Sequence, residues 1–433
     1  MTAPRPLAAY AAVTAAYWAF MLTDGALRML VLLHFHTLGF SPVQLAYLFL
    51  LYEFAGIVTN LSAGWVAARF GLTATLHAGL ALQIGALLAL AALDPAWSLW
   101  ASVAFVMAVQ GVSGVAKDLA KTASKSAVKL LAPEAEGALF RWTALLTGSK
   151  NAVKGVGFLI GAGLLAAAGF EAAVLGMAGA LALVLAAVAA LTPAGLPAGR
   201  KGARFREVFS KSADVNRLGA ARLFLFGARD AWFVVGVPIW FYGVLSDGTP
   251  EGDRAAFFRI GVFMAVWIIG YGAVQAAAPR LLRGRARTPR QAAGLARGWV
   301  AALVPIPAAL ALAAWTEAGA GPAAAWLEAA AGAHWLTPVM IAGLLLFGAV
   351  FAVNSALHSY LILAFSQAER VTMDVGFHYM SNAAGRLLGT LLSGLSYQLG
   401  GLPACLAAAA ALALVSRIFA GRLAAGAGAA APA

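Results

Sequence analysis

This sequence of 433 residues predicts an all-α membrane protein of twelve transmembrane helices, folded as two six-helix bundles around a central cavity. Three observations lead there. Hydrophobic residues make up 62% of the chain and charged residues only 11%, against about 25% charged in a soluble domain, and the mean hydropathy is +0.84. So few charges cannot cover a water-facing surface of this size. The apolar residues fall into twelve runs, each near the ~20 residues a spanning helix requires. One long polar stretch then divides those runs into two sets of six.

In order, the first six runs lie at about 8–35, 43–68, 73–92, 97–117, 139–167 and 172–192, giving an N-terminal bundle over 1–192. The polar stretch LTPAGLPAGRKGARFREVFSKSADVN follows, with a cytoplasmic linker at 193–216. Runs at about 217–244, 257–279, 294–315, 337–365, 374–398 and 403–421 give a C-terminal bundle over 217–433. Helix is favoured over strand because the runs are long and continuous, without the ten-residue alternation of a membrane barrel. The start, MTAPRPLAAYAAV, has one arginine and no small-residue cleavage site, so the first span is expected to be retained rather than removed as a signal peptide.

The basic residues orient these spans. The net charge is +13 and the pI about 10.2. In a membrane chain such an excess points to cytoplasmic loops rather than to nucleic acid. Arg5, Arg69, Lys117, Lys121, Lys125, Lys129 and Arg141 fall on one side, as do the group from Arg200 to Arg222, the run from Arg280 to Arg297, and Arg370, Arg417 and Arg422. The other side holds only Arg254 and Arg259. Both termini are therefore expected in the cytoplasm. The single cysteine, Cys405, excludes an intramolecular disulfide and a cysteine-only zinc site, and no cofactor or metal is expected.

The halves echo one another. Trp18 precedes Asp24 by six residues, as Phe224 precedes Asp230, and Ser149-Lys150-Asn151-Ala152 is matched by Ser381, Asn382 and Ala383. Such internal repeats suit helical bundles packed about a shared site. The loop GWVAARFGLTATL at 64–76 resembles the cytoplasmic signature of the major facilitator superfamily, through Gly64, Arg69 and Gly71. The acidic position of that signature is Ala68 here, and its second basic position is Leu72.

Charges inside spans cost about 2.5–3.5 kcal/mol each on insertion scales, so each needs a reason. Asp24, Arg28, Glu53, Lys150, Lys154, Arg229, Asp230 and Arg386 lie within the predicted runs, five basic against three acidic. Asp24 and Arg28, four apart, either neutralise one another along the helix or divide the work, Arg28 binding an anion while Asp24 restrains it. Lys150 and Lys154 repel at the same spacing, with no acid in their own span. Either another helix supplies one, Glu53 being a candidate, or the compensating charge arrives with an anionic substrate. Arg28 and Arg229 stand on corresponding helices, and a guanidinium from each half suits bidentate contact with phosphate or carboxylate. Arg386 is a third such candidate, or else snorkels or pairs with Asp374. Lys117, Lys121, Lys125 and Lys129 form a ladder at four-residue spacing that draws an anion to the inner mouth. Asp24, Glu53 and Asp230 are candidates for carrying a coupling proton.

Other features read as packing. His34, His36, His358 and His378 read as polar interface groups, and Gly155, Gly157, Gly161, Gly163, Gly385 and Gly389 as sites of close helix approach. Ser126 and Lys129 match S-x-x-K without its companion motifs. Neither HExxH nor GxSxG occurs, so an enzyme is not expected.

Four segments, YWAFMLTDGALRMLVLLHFHTLG (17–39), SGVAKDLAKTASKSAVKLL (113–131), RWTALLTGSKNAVKGVGF (141–158) and FREVFSKSADVNRLGAARLFLFGARDAWFVV (205–235), resemble the ArsJ family of organoarsenical exporters. Residues 246–256 and 317–336 read as longer outer loops than that family's. The resemblance implies an efflux permease of a bacterial inner membrane. It would export 1-arseno-3-phosphoglycerate, which glyceraldehyde-3-phosphate dehydrogenase makes from arsenate, and so confer arsenate resistance. That implies a functional link to the dehydrogenase, a small anionic organoarsenical and the lipid bilayer as partners, and no nucleic acid. Residues and spacing by themselves reach a transporter of a small organic anion. An organophosphate or other organic-anion antiporter is the alternative. The expected substrate-binding residues are Arg28, Lys150, Lys154, Arg229, Arg386, Lys117 and Lys121.

Overall fold

The structure, a computed structural model, describes residues 5–94, 96–131, 138–191, 212–282, 289–319, 335–365 and 371–426. The linker expected at 193–216 falls outside the described residues up to Lys211, as do Arg283, Arg285, Arg287 and Arg370 and the side chains of Arg5, Arg69, Lys125, Lys129 and Arg141.

Helix accounts for nearly every described residue. The elements are α1 (Arg5–Thr37), α2 (Pro42–Phe70), α3 (Leu72–Ala91), α4 (Leu99–Leu131), α5 (Ala138–Leu191), α6 (Ala213–Phe233), α7 (Gly236–Leu245), α8 (Pro250–Leu281), α9 (Pro289–Leu303), α10 (Pro305–Ala318), α11 (Leu336–Phe365) and α12 (Val371–Gly426). Among the described residues, ten helical stretches are long and apolar enough to cross a membrane, α6 with α7 and α9 with α10 each counting as one. The chain is a multi-pass membrane protein.

Local chemistry sets the boundaries. Ser41 and Gln44 form a reciprocal capping box ahead of α2, with Pro42 at its first helical position. Ser212 caps α6, its hydroxyl accepting from the Val215 amide at 3.4 Å. Within α5 and α12 the helical path breaks at Gly169 (φ 77°) and Gly401 (φ 63°), a left-handed conformation that glycine adopts without penalty. Pro403 follows the second break. Between α6 and α7 the freed amides of Val235 and Gly236 donate to the Ser393 hydroxyl at 3.2 and 3.1 Å. That contact satisfies backbone donors which lipid could not.

The chain forms two compact units. The first comprises Met1–Gly39, Tyr47–Val208 and Val244–Gly272; the second comprises Phe40–Ala46, Phe209–Gly243 and Ala273–Ala433. In the first, α1, α3, α4 and α5 close on a core that includes Tyr17, Phe20, Leu76, Leu80, Ala120 and Leu181. In the second, α6, α9, α11 and α12 close on Val215, Leu218, Ala292, Ala296, Val353, Leu357 and Leu423.

One helix crossing recurs in both units and positions the charges. In the first unit α5 lies on α1 so closely that a Cβ on Gly161 would strike the Ala26 backbone. In the second α12 lies on α6, and a Cβ on Gly385 would strike the Leu223 backbone. Backbone-to-backbone packing of this kind fixes the register between facing side chains.

Candidate functional site

Each crossing carries a buried acid facing a cation. In the first unit the Lys154 ammonium lies 2.7 Å from Asp24 Oδ2, while the Tyr52 hydroxyl donates to Asp24 Oδ1. In the second, Arg386 Nε lies 3.3 Å from Asp230 Oδ2. These pairs are equivalent by sequence. Lys154 follows Ser149 by five residues as Arg386 follows Ser381, and the two aspartates share their six-residue spacing from Trp18 and Phe224. The Trp18 indole donates to Ser149 Oγ at 2.9 Å, tying the first pair of markers together.

Around this shared motif the units differ. In the first, Arg28 pairs with a second acid, Glu53, at 2.7 Å. Its guanidinium also packs on the rings of Phe49 and Tyr52, at 5.2 and 5.3 Å to the centroids. Lys117 places its ammonium 4.0 Å from the centre of the Tyr52 ring, a cation–π contact close to Asp24. Three cations thus gather about two carboxylates, each carboxylate taking one ion pair. Asp24 and Glu53 are 3% and 0% exposed, so both are far from bulk water.

In the second unit a single acid serves two guanidiniums. Asp230 is fully buried, its Oδ1 held by Arg229 at 2.6 Å and its Oδ2 by Arg386. Arg229 is walled by the rings of Phe226, Phe233 and Phe351. Arg222, two turns earlier on α6, also packs on Phe226, 4.5 Å from its centroid. Two guanidiniums therefore converge on one buried carboxylate.

Several expectations are corrected by these contacts. Asp24 and Arg28 do not pair along α1; each bonds across to a different residue. Lys154 is not left for a substrate to neutralise, since α1 supplies Asp24 as its acid. Arg386 pairs with Asp230, not Asp374. Arg28 and Arg229 occupy corresponding helices at different registers, four residues after one aspartate and one residue before the other. Lys121 is not a rung of a solvent-facing ladder: it bonds Asp118 and Asn60, both at 2.5 Å. Lys117 is turned onto Tyr52. Lys150 sits half-buried one turn before Lys154 on α5. His34 stacks on Phe170 with centroids 4.2 Å apart, an interface contact as expected.

Sequence reasoning missed Tyr52, which lies beside Glu53 in the chain. It also missed Arg222, placed at a helix end by the loop map although Arg222, Phe226 and Arg229 follow the i, i+4, i+7 spacing of one helix face. Asn354 and His358, one turn apart on α11 and fully buried, make no side-chain hydrogen bond among the described residues. His358 lies within electrostatic reach of Arg222. His358 read as a polar interface group in the sequence, and nothing there marked Asn354. Among the described residues no three His, Cys, Asp or Glu side chains are placed to hold a metal ion.

Outside the spans, residues 246–249 are organised by their own polar groups. The Asp247 carboxyl accepts from the Thr249 hydroxyl and amide at 2.6 and 2.9 Å. Those bonds hold it below the usual carboxylate range.

No protein-family model matches the chain, and no curated protein matches it in sequence. Solved structures do. A bacterial homologue of the iron transporter ferroportin, in an inward-facing state, superposes with a TM-score of 0.66 at 14% identity, covering 96% of this chain and 99% of its own. A mutant of the nucleoside transporter NupG superposes with a TM-score of 0.65 at 14% identity, covering 98% and 99%. At that identity the likeness speaks for architecture, and it spans essentially the whole of both chains. The chain shares the overall fold of these two solved structures.

Proposed function

We propose that the chain is a permease for a small organic anion bearing more than one negative charge. The supporting observation is the sharing of Asp230 between Arg229 and Arg386. Two guanidiniums converging on one buried carboxylate make a cation-rich site, and planar forks of this kind recognise phosphate-like groups bidentately. The first network, with Lys117 beyond its two ion pairs, offers a second site of the same sort.

Among such anions we infer 1-arseno-3-phosphoglycerate, exported by alternating access so that arsenate resistance results. This rests on the four ArsJ-like segments, three of which contain Asp24, Arg28, Lys150, Lys154, Arg229 and Asp230. A substrate bearing several negative charges suits cation-rich networks of this kind. Substrate contacts are assigned to Arg229 and Arg386 first, then to Arg28, Lys117, Lys150, Lys154 and Lys121. Asp24, Glu53 or Asp230 would carry any coupled proton. The chain would cross a bacterial inner membrane twelve times with both ends in the cytoplasm. The apolar stretches of α5 and α12, 42 and 48 residues long, would each turn back at their glycine break, since about 20 residues suffice for one crossing. An organophosphate or other organic-anion antiporter is the second reading, because a guanidinium pair does not by its geometry separate arsenate from phosphate.

Uptake into everted vesicles, with the arsenylated ester generated in place by glyceraldehyde-3-phosphate dehydrogenase, tests this against 3-phosphoglycerate alone. Uptake of the ester in preference to 3-phosphoglycerate is expected. Equal uptake favours the antiporter, and uptake of neither removes the proposal.

A further inference from the structure

Away from both networks, the second unit has a cleft of about 330 Å³ where α9 meets the last turns of α12, lined by Arg297, Leu414, Arg417, Ile418, Gly421 and Arg422. Three of its six lining residues are arginines and none is acidic. None of the three has an ion-pair partner among the described residues. The arginines are exposed, and between them Leu414 and Ile418 are 45% and 51% exposed. Both helices belong to apolar stretches, Pro289–Ala318 and Gly376–Leu423, so Arg422 stands at the end of its stretch and Arg417 just over one turn inside. Exposed leucine and isoleucine on an apolar stretch suit acyl chains, and guanidiniums near the end of such a stretch suit the depth of lipid phosphates.

We infer that this cleft holds the phosphate of an anionic phospholipid, with an acyl chain along Leu414 and Ile418. An exposed arginine inside a span needs an anion or a path to water. Basic pockets between helices at the membrane surface meet that need with headgroup phosphates. The cleft is built for a group rather than for diffuse attraction. The Arg422 guanidinium is steadied 5.5 Å from the Phe419 centroid, and Phe419 is itself stacked on Phe224 at 5.7 Å. Arg297 reaches over Gly421, its Nε 3.9 Å from where a Cβ would stand. The absence of a side chain at Gly421 thus keeps the floor open. A zwitterionic lipid would bring its ammonium against three guanidiniums, so the preference is for a net negative headgroup such as phosphatidylglycerol.

The purified full chain in detergent, titrated with fluorescent phosphatidylglycerol or phosphatidylcholine, reads this directly. Roughly a fivefold gain per guanidinium predicts about a hundredfold preference for phosphatidylglycerol. The triple variant Arg297→Gln, Arg417→Gln, Arg422→Gln should lose most of it, while Arg280→Gln with Arg290→Gln, exposed arginines outside the cleft, should keep it. Gly421→Leu retains every charge but fills the floor, and it should also lose the preference. An unchanged preference in the triple variant, or in Gly421→Leu, overturns the inference. So does displacement of the lipid by glycerol 3-phosphate at equal concentration, which would make this a site for free phosphate esters.

Discussion

The crossings of α1 with α5 and of α6 with α12 place an aspartate against a cation at matching positions, yet the surroundings of the two aspartates differ. Around Asp24 there is one acid for each paired cation, with Tyr52 donating to the free carboxylate oxygen. Around Asp230 both oxygens are taken by different guanidiniums. In the first network, then, every carboxylate bond can hold without a ligand. In the second, two guanidiniums share one carboxylate. The difference suggests that the first pairing chiefly holds its helices in register, and that the second is where an added anion gains most.

Removing charges one at a time should separate these roles, and the largest effect is expected at Asp230. Asp230→Asn leaves Arg229 and Arg386 facing each other without a counter-charge, and breaking a buried pair in this way costs about 3–5 kcal/mol. Thermal unfolding in detergent should show that loss, with partial recovery on adding 3-phosphoglycerate to supply the missing charge. Next comes Arg28→Met, which strands Glu53 at a comparable cost of about 3–5 kcal/mol. Here the double variant Arg28→Met, Glu53→Gln should recover most of the stability with no anion added. If recovery needs an anion in both units, the comparison fails.

Smaller effects follow. Tyr52→Phe removes a hydrogen bond to a charged acceptor and should cost about 1.5–3 kcal/mol, while the ring under Lys117 stays. Ser393→Ala leaves two backbone amides unsatisfied at the α6–α7 break, at about 1–3 kcal/mol for each buried group. The smallest change is expected at the exposed Asp247. Its folded-state pKa is lowered, so its contribution is complete above the ordinary carboxylate pKa and is lost as pH falls below it. Asp247→Asn should flatten only that acidic limb of the stability–pH curve.

Much of the architecture could be read from the chain, because apolar runs and glycines report directly on spans and close crossings. The Trp18–Asp24 and Phe224–Asp230 echo, with its Ser-Asn-Ala partners, even located the two equivalent crossings. What remained hidden was pairing between helices. Asp24 and Arg28 are four apart and look like partners, but the approach of α5 at Gly161 brings Lys154 within reach first. Likewise Asp374 is the acid that Arg386 has in its own span, but the acid it pairs with lies 156 residues earlier in the chain. Span-by-span charge counting cannot find such partners. The positive-inside map also misplaced Arg222, since it scores a basic residue near a span end as a loop marker whether or not the side chain turns inward.

The account rests on the second guanidinium at Asp230, and binding of 3-phosphoglycerate to Arg386→Gln tests it most directly. Arg229 still neutralises Asp230 in that variant, so its melting temperature without ligand should stay close to that of the parent. Calorimetric affinity for the anion should fall at least tenfold, the loss of one charge-assisted contact of about 1.5–3 kcal/mol. Lys154→Gln should show the reverse pattern, with lower stability and a smaller change in affinity. Undiminished binding by Arg386→Gln would contradict the claim that the second unit's guanidinium pair receives the substrate.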